Sequence, residues 1–325
     1  VGDNSLSKRD FSRVIKPLQL FGVNIQSRNG LLPIKLKGTS FLRPIKYIEN
    51  KGSAQIKTCI ILSAINTPGK TKIKAKKSRN HTELLLKYLK YPIVIKNKKF
   101  HDVIEIQGNK QIRSFNYKIP GDISSAAFFI VLTLLSKKSK LKIKDININP
   151  SRIGVLTILN QMKANIKIIN KRNYRGENIG DIIIKSKTNL KSINCPAKLN
   201  SASIDEFLLI FIVAAKSKGV SSFRNLGELN KKESPRLEIA IKFLKMIGIK
   251  VLRKENNIKI FGNPNLELKG NFHIKKFLMD HRVFMLSVVA ALTFGGNWRI
   301  NDKNSINTSF PQFLKIAKKL GAKIN

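Results

Sequence analysis

The sequence predicts an α/β fold built by repeating one small helix–strand unit, and three features of the chain predict it. An apolar helical segment recurs four times, an amphipathic helix recurs five times, and short strands with lysine at alternate positions follow them. Self-similarity at a roughly constant spacing is the mark of a repeat architecture. The 325 residues are 42% hydrophobic, which is enough for a sizeable core and argues against wholesale disorder.

The apolar segments are residues 53–64, 124–135, 205–215 and 281–292, with starts roughly 70 to 80 residues apart. Each has a polar start, then alanines with branched or aromatic residues, then a Gly, Lys or Ser break and a short strand. The strands are expected at 70–73, 140–143, 220–223 and 297–300. The amphipathic helices are expected at 9–22, 79–90, 152–163, 236–248 and 310–321. Gly22, Gly248 and Gly321 stand at three of their ends, where a left-handed residue commonly closes a helix. Strands are expected after them at 23–25, 249–251 and 322–324. Each unit thus reads as apolar helix, strand, loop, amphipathic helix, strands. The first unit begins at its loop, so a further apolar helix is expected upstream of Val1. Runs such as Lys72-Ile73-Lys74-Ala75-Lys76 place lysines on one face of a half-buried sheet and apolar side chains on the other.

The balance of 62 Lys and Arg against 19 Asp and Glu gives a formal charge of +43. Such an excess can signal a nucleic-acid or anionic-membrane partner. Here the lysines spread along the whole chain together with Ile and Asn, which reads as a compositional habit with solvated lysines. A basic nucleic-acid-binding repeat protein would need aromatic stacking positions or a groove-reading helix, and neither is found. Cys59 and Cys195 lie in or beside apolar stretches and form no CxxC pair. No disulfide or zinc site is expected, and a reducing, cytoplasmic compartment fits. The four histidines are scattered, so no metal site is expected. No apolar run reaches membrane-spanning length, and no signal-peptide pattern opens the chain.

The polar residues at the helix starts are the informative ones. Ser53-Ala54-Gln55 and Asp122-Ile123-Ser124-Ser125 each precede an apolar helix. Unpaired N–H groups at a helix N-terminus offer a cradle for phosphate or carboxylate; plain N-capping is the alternative. Asp205-Glu206 opens the third apolar helix, either to complement its dipole or to work against a facing basic cluster. Two basic clusters follow, Lys232-Glu233-Ser234-Pro235-Arg236 and Asp280-His281-Arg282. Arginine at the positive end of a helix opposes the dipole. Its recurrence as Arg9, Arg79, Arg152, Arg236 and Arg282 points to bound anions, with pairing to Asp280 or Glu233 as the other reading.

Taken together these motifs resemble the 3-phosphoshikimate 1-carboxyvinyltransferase (5-enolpyruvylshikimate-3-phosphate synthase) family. The matching stretches are Gly2-Asp3-Asn4-Ser5-Leu6-Ser7-Lys8-Arg9, Ser53-Ala54-Gln55-Ile56-Lys57, Ser78-Arg79-Asn80-His81-Thr82-Glu83 and Gly121-Asp122-Ile123-Ser124-Ser125-Ala126-Ala127-Phe128-Phe129. They continue as Asn149-Pro150-Ser151-Arg152-Ile153-Gly154, Ile204-Asp205-Glu206, the two basic clusters, and Thr308-Ser309-Phe310-Pro311. Each is weak alone; nine in family order along the whole chain are specific.

The resemblance implies an inside-out α/β barrel fold of two similar domains, expected at 1–176 and 177–325, with the active site in the cleft between them. It implies transfer of enolpyruvyl from phosphoenolpyruvate to the 5-hydroxyl of shikimate 3-phosphate, with release of phosphate and no metal or organic cofactor. By the family pattern Ser53, Ala54, Gln55 and Ser125 bind shikimate 3-phosphate, with Ser53 and Ser125 on its phosphoryl group and Gln55 reaching both substrates. Asp205 is implied as the base for the 5-hydroxyl, Lys232 as its neighbour on the ring, and Glu233 as the acid at the methylene carbon. Arg9, Arg236 and Arg282 are implied as the phosphoenolpyruvate clamp. A monomer is expected, without nucleic-acid or membrane partner. The nearest rival is the sister transferase acting on UDP-N-acetylglucosamine, which usually carries a reactive loop cysteine; Cys59 lies instead inside an apolar helix.

The chain departs from the family pattern at Asp10-Phe11, Asn80, Pro235 and Thr308, where Pro-Met, Asp, Asp and, in some relatives, Lys are usual. The family's N-terminal Lys-Ser helix and Asn-x-Gly-Thr loop, about its first quarter, have no counterpart in these residues. The expectation is therefore an incomplete enzyme that is inactive alone, with a loosely packed first domain.

Overall fold

The computed structural model describes residues 7, 9–275 and 279–325. Most of the Gly2-to-Arg9 motif lies outside the described residues. Contacts group the chain into two compact units, the first taking Val1–Lys118 with Asn173–Glu177 and the second Ile119–Arg172 with Asn178–Asn325. This grouping differs from the division expected at residue 176, because residues 119–172 share one hydrophobic core with those that follow 178.

The first unit opens with α1 (Ser12–Leu20) and an antiparallel hairpin of β1 (Asn24–Arg28) and β2 (Leu31–Lys37). It continues through β3 (Lys46–Glu49), α2 (Ala54–Ile65), β4 (Lys70–Lys76), α3 (His81–Tyr88), β5 (Ile93–Asn97) and β6 (His101–Gln107). The sheet has the order β3-β4-β6-β5, with β3 and β4 parallel and the other pairs antiparallel.

The same β-α-β-α-β-β plan returns twice in the second unit. Its first copy runs through α4 (Ile123–Leu135), β7 (Lys140–Asn147), α5 (Gly154–Gln161), β8 (Asn165–Tyr174) and β9 (Glu177–Lys185). The next has a short α6 (Asn200–Ser203), then α7 (Phe207–Ala215), β10 (Gly219–Phe223), α8 (Arg236–Met246), β11 (Val251–Lys254) and β12 (Asn257–Gly262). The sheet orders, β7-β9-β8 and β10-β12-β11, repeat that of the first unit. In both copies the leading strand is reduced to isolated parallel bridges, Gly121↔Ile146 and then Lys191↔Lys218 with Asn194↔Ser222. The chain ends with β13 (Leu268–Ile274), α9 (His281–Phe294), β14 (Gly295–Ile300) parallel to β13, and α10 (Phe313–Lys319).

The local causes are those the sequence contains. Gly22, Gly248 and Gly321 close their helices at φ +100°, +79° and +95°, and Lys90 and Lys163 take the same left-handed place without glycine. Along β4, Thr71, Ile73 and Ala75 are buried while the four lysines are exposed. Residues 322–324, expected as a strand, form none, since they find no pairing partner among the described residues. No helix among the described residues is long and apolar enough to cross a membrane.

The apolar helices are buried because they are apolar all round rather than along a stripe. All nine residues of α7 are buried, and α4, α7 and α9 pack on one another in the core of the second unit. The first unit has its own core around Ile56, Ile60, Ile61, Ile73, Ile104 and Ile106. Into it α2 inserts a charge: Lys57 is fully buried, with its ammonium 2.6 Å from Glu83 Oε1 of α3. The ammonium lies off the line for a hydrogen bond, and Glu83 Oε2 has no hydrogen-bond partner. Breaking a buried pair strands one charge and costs about 3–5 kcal/mol, whereas replacing both partners by apolar groups is often neutral. Urea unfolding should therefore show Lys57→Met far less stable than wild type, and Lys57→Met with Glu83→Leu recovering most of the loss. A double variant that loses as much as Lys57→Met and Glu83→Leu added together would mean the pair is uncoupled.

Candidate active site

In the second unit the N-termini of the three apolar helices meet. Asp122 caps α4, its Oδ1 accepting from the Ser124 amide at 3.2 Å, and Asp280 caps α9, accepting from the Arg282 amide at 2.9 Å. Glu206 immediately precedes α7, in a turn made by residues 204–206. Ser124 Oγ donates to Glu206 Oε1 at 2.5 Å, and Arg282 Nη1 donates to the Asp205 carbonyl at 3.1 Å. So α4 and α9 are each fastened to the start of α7.

Asp205 sits in this junction with three cations around its carboxylate. Lys232 Nζ is 3.3 Å and Arg236 Nη1 3.7 Å from Oδ1, and Arg282 Nη2 is 3.9 Å from Oδ2. The sequence left open whether a basic cluster faces Asp205, and the second unit places one there. A carboxylate held among fixed cations is an acceptor aimed at whatever hydroxyl is bound beside it.

Arg236, in the first turn of α8, is 1% exposed and ringed by acids. Its Nε donates to Asp280 Oδ2 at 2.9 Å, and its Nη2 to Glu233 Oε2 at 2.5 Å and Asp280 Oδ1 at 3.3 Å. Ser234 Oγ also donates to Asp280 Oδ2, at 2.7 Å. Burial opposes ionisation of Asp280, but the Arg236 charge and the hydrogen bonds from Arg236, Ser234 and the Arg282 amide hold its carboxyl below the usual range. Both sequence readings of Arg236 thus meet in one group, since its guanidinium pairs with Asp280 and Glu233 while one edge faces Asp205. Pro235 supplies no side-chain cap to α8; Asn230 Oδ1 accepts from the Leu237 amide at 3.0 Å in its stead.

On the α4 side Arg152 Nη2 donates to Asp122 Oδ1 at 2.8 Å and to Ser124 Oγ at 2.7 Å. Ser125, singled out in the sequence, is half-buried in the first turn of α4, whereas its neighbour Ser124 is buried and committed to Glu206. In the first unit Ser53 caps α2, its Oγ accepting from the Ile56 amide at 3.4 Å, and Gln55 is exposed beside the half-buried Ala54. Arg9 is half-buried and precedes α1. Thr308 is exposed. Sequence reading missed the Arg152–Ser124–Glu206 chain. The signal was an acid at the start of an otherwise wholly apolar helix, which must find a partner when the helix is buried. Among the described residues no group of three or more His, Cys, Asp or Glu could hold a metal ion.

Burial pushes the Glu206 carboxyl above its ordinary range, with Asp205 acting in the same direction; the charges of Arg282 and Arg152 and the Ser124 hydrogen bond offset only part of this. Below about pH 4.5, the ordinary value, Glu206 is protonated in both folded and unfolded chains. As pH rises the unfolded chain ionises first, so stability is lost as pH climbs through the raised folded value. Glu206→Gln removes that titration. The melting temperature of the variant, relative to wild type, should climb as pH rises above about 4.5, and a flat difference would show that Glu206 ionises normally.

The family described as EPSP synthase (3-phosphoshikimate 1-carboxyvinyltransferase) matches residues 1–316. A 3-phosphoshikimate 1-carboxyvinyltransferase of Ruthia magnifica is 39% identical over 329 aligned positions, covering 100% of this chain and 73% of that protein. One of Petrotoga mobilis is 37% identical, covering 98% and 73%. The solved EPSP synthase of Acinetobacter baumannii superposes with a TM-score of 0.86 at 34% identity, over 100% of this chain and 74% of that one. The enolpyruvyl transferase NikO of Streptomyces tendae, at 15% identity and a TM-score of 0.74, shares the fold. With an α/β fold of repeated units and its motifs in order along the match, the chain belongs to the EPSP synthase (3-phosphoshikimate 1-carboxyvinyltransferase) family.

Proposed function

We propose that the protein transfers the enolpyruvyl group of phosphoenolpyruvate to the 5-hydroxyl of shikimate 3-phosphate and releases phosphate. The observation that carries this reading is Asp205, set among Lys232, Arg236 and Arg282 where three helix N-termini meet. Both substrates are polyanions, so guanidinium groups and positive helix ends suit them.

In the addition step Asp205 takes the proton of the 5-hydroxyl as its oxygen bonds to the substituted carbon of phosphoenolpyruvate, and Glu233 gives a proton to the methylene carbon. In the elimination Glu233 takes a proton back from the methyl carbon, the C–O bond to phosphate breaks, and the proton held by Asp205 leaves with the phosphate, so atoms balance and no oxidant or reductant enters. Lys232, 3.3 Å from Asp205, keeps the carboxylate oriented and neutralises charge at the ring. Arg236 and Arg282, with Arg9, are assigned to phosphoenolpyruvate. Asp280 and Glu233 hold Arg236 in a set orientation, which preorganises the clamp. Ser53, Ala54, Gln55 and Ser125 are assigned to shikimate 3-phosphate, with Gln55 touching both substrates. The same reading needs no metal or organic cofactor, takes the two domains of the family as 1–176 and 177–325, and describes a monomeric cytoplasmic enzyme. The sister reaction on UDP-N-acetylglucosamine has less support: Cys59 lies inside α2, and burial pushes its thiol up, away from the reactive thiolate.

Phosphate release that depends on both substrates is the direct assay. In the full-length protein Asp205→Asn should lower kcat by about 10² or more with substrate affinity largely kept; near-normal turnover would remove Asp205 from the mechanism. Arg282→Lys loses the guanidinium fork and should weaken phosphoenolpyruvate binding by roughly 1–3 kcal/mol. Calorimetry showing shikimate 3-phosphate weakened equally would contradict the division of ligands between residues.

A further inference from the structure

Glu206 adjoins the proposed base but has no part in the steps above. It is 2% exposed and joined through Ser124 to Arg152, which also holds the α4 cap Asp122. Each partner is itself fixed in a different element: Ser124 lies in the first turn of α4, and Arg152 lies two residues before α5. A second close approach bears on the same place. A Cβ on Gly154, the first residue of α5, would come within 2.2 Å of Ser203 Oγ and 2.9 Å of the Ala202 carbonyl oxygen. Only glycine lets α5 seat on the short helix α6, whose last residue leads into the turn that presents Asp205.

This chain of contacts ends on the immediate neighbours of two residues the proposed reaction needs at a set separation. Ser124 adjoins Ser125, assigned to the phosphoryl group, and Glu206 adjoins Asp205, assigned to the hydroxyl. We propose that Glu206 is a positioning residue which, through Ser124 and Arg152, locks the start of α4 carrying Ser125 to the start of α7 carrying Asp205. The inference rests on the reaction assigned above. Truncating Glu206 leaves the Ser124 hydroxyl, and through it Arg152, without the buried carboxyl that ties them to the start of α7, and frees the Asp205 turn to shift. A displacement of about 1 Å at a reacting group can cost on the order of 10² in rate. Glutamine keeps an acceptor oxygen of the same reach and preserves the lock.

The test uses steady-state kinetics and amide hydrogen exchange on the full-length protein. Glu206→Ala should lower kcat by about 10- to 100-fold with little change in the KM for phosphoenolpyruvate. Glu206→Gln should stay within about threefold of wild type, as a conserved geometry requires. Ser124→Ala should fall as Glu206→Ala does, and the double variant should be no slower than the slower single, because both remove one tether. Exchange in residues 123–125 and 204–206 should quicken in Glu206→Ala and stay unchanged in Glu206→Gln. If Glu206→Ala fails to fold, Ser124→Ala reads the same tether with the carboxyl in place. A glutamine variant as slow as the alanine variant, or alanine variants at wild-type kcat, would overturn the proposal. A wild type that releases no phosphate but shows the expected exchange pattern would sink the assigned reaction and support the tether.

Discussion

Burying three helix N-termini side by side is the constraint on which the second unit depends. Because α4, α7 and α9 are apolar on every face, they are driven into one core. Their first turns go in with them, bringing unpaired N–H groups and positive dipole ends. Asp122 and Asp280 answer that need by capping, and Glu206 places a carboxyl at the third start. The two that are buried, Glu206 and Asp280, in turn require partners, and Arg152, Arg236 and Arg282 stand beside them. The charges that make this corner suited to anionic substrates are thus the ones that helix burial demands. Stability and chemistry draw on the same arginines.

That economy explains why Arg236 resists a single label. A guanidinium has five donors in a rigid fork. Here Asp280 and Glu233 occupy two sides and leave the third toward Asp205. The departure at Pro235 belongs to the same corner. A proline at the start of α8 fixes the backbone but offers no acceptor, and Asn230, five residues earlier, makes the hydrogen bond that a capping aspartate would have made. A change that looks damaging in a motif is absorbed by a side chain the motif does not include.

Much of this was legible in the residues. The four apolar helices, the strands behind them and the left-handed helix ends follow from composition and period, which are local properties, and α2, α4 and α9 begin within one residue of the expected positions. Asp205 with its basic neighbours was legible because acids and arginines at helix starts are costly unless used. What stayed hidden depends on pairs far apart in the chain. Ser124 and Ser125 are equivalent to a reader of sequence, but only the first turns inward to Glu206, 82 residues away. The grouping of residues 119–172 with the second core is a property of which helices touch, and periodicity within one helix does not report it. The expected strand at 322–324 failed for the same reason, since a strand exists only where another accepts it.

The lysine-bearing strands have a consequence for the surroundings the fold requires. On β4 the exposed Lys70, Lys72, Lys74 and Lys76 stand in one row, and Lys46 of β3 is in register with Lys72. Glu105 answers Lys72 at 3.1 Å, but like charges one strand apart repel. With +43 charges overall, dissolved counter-ions become part of what keeps the sheet together. The Debye length shortens from about 30 Å at 0.01 M salt to about 8 Å at physiological strength. Desalting the protein therefore acts on it as a mild denaturant does, and adding back a simple salt acts as a stabilising ligand with no binding site.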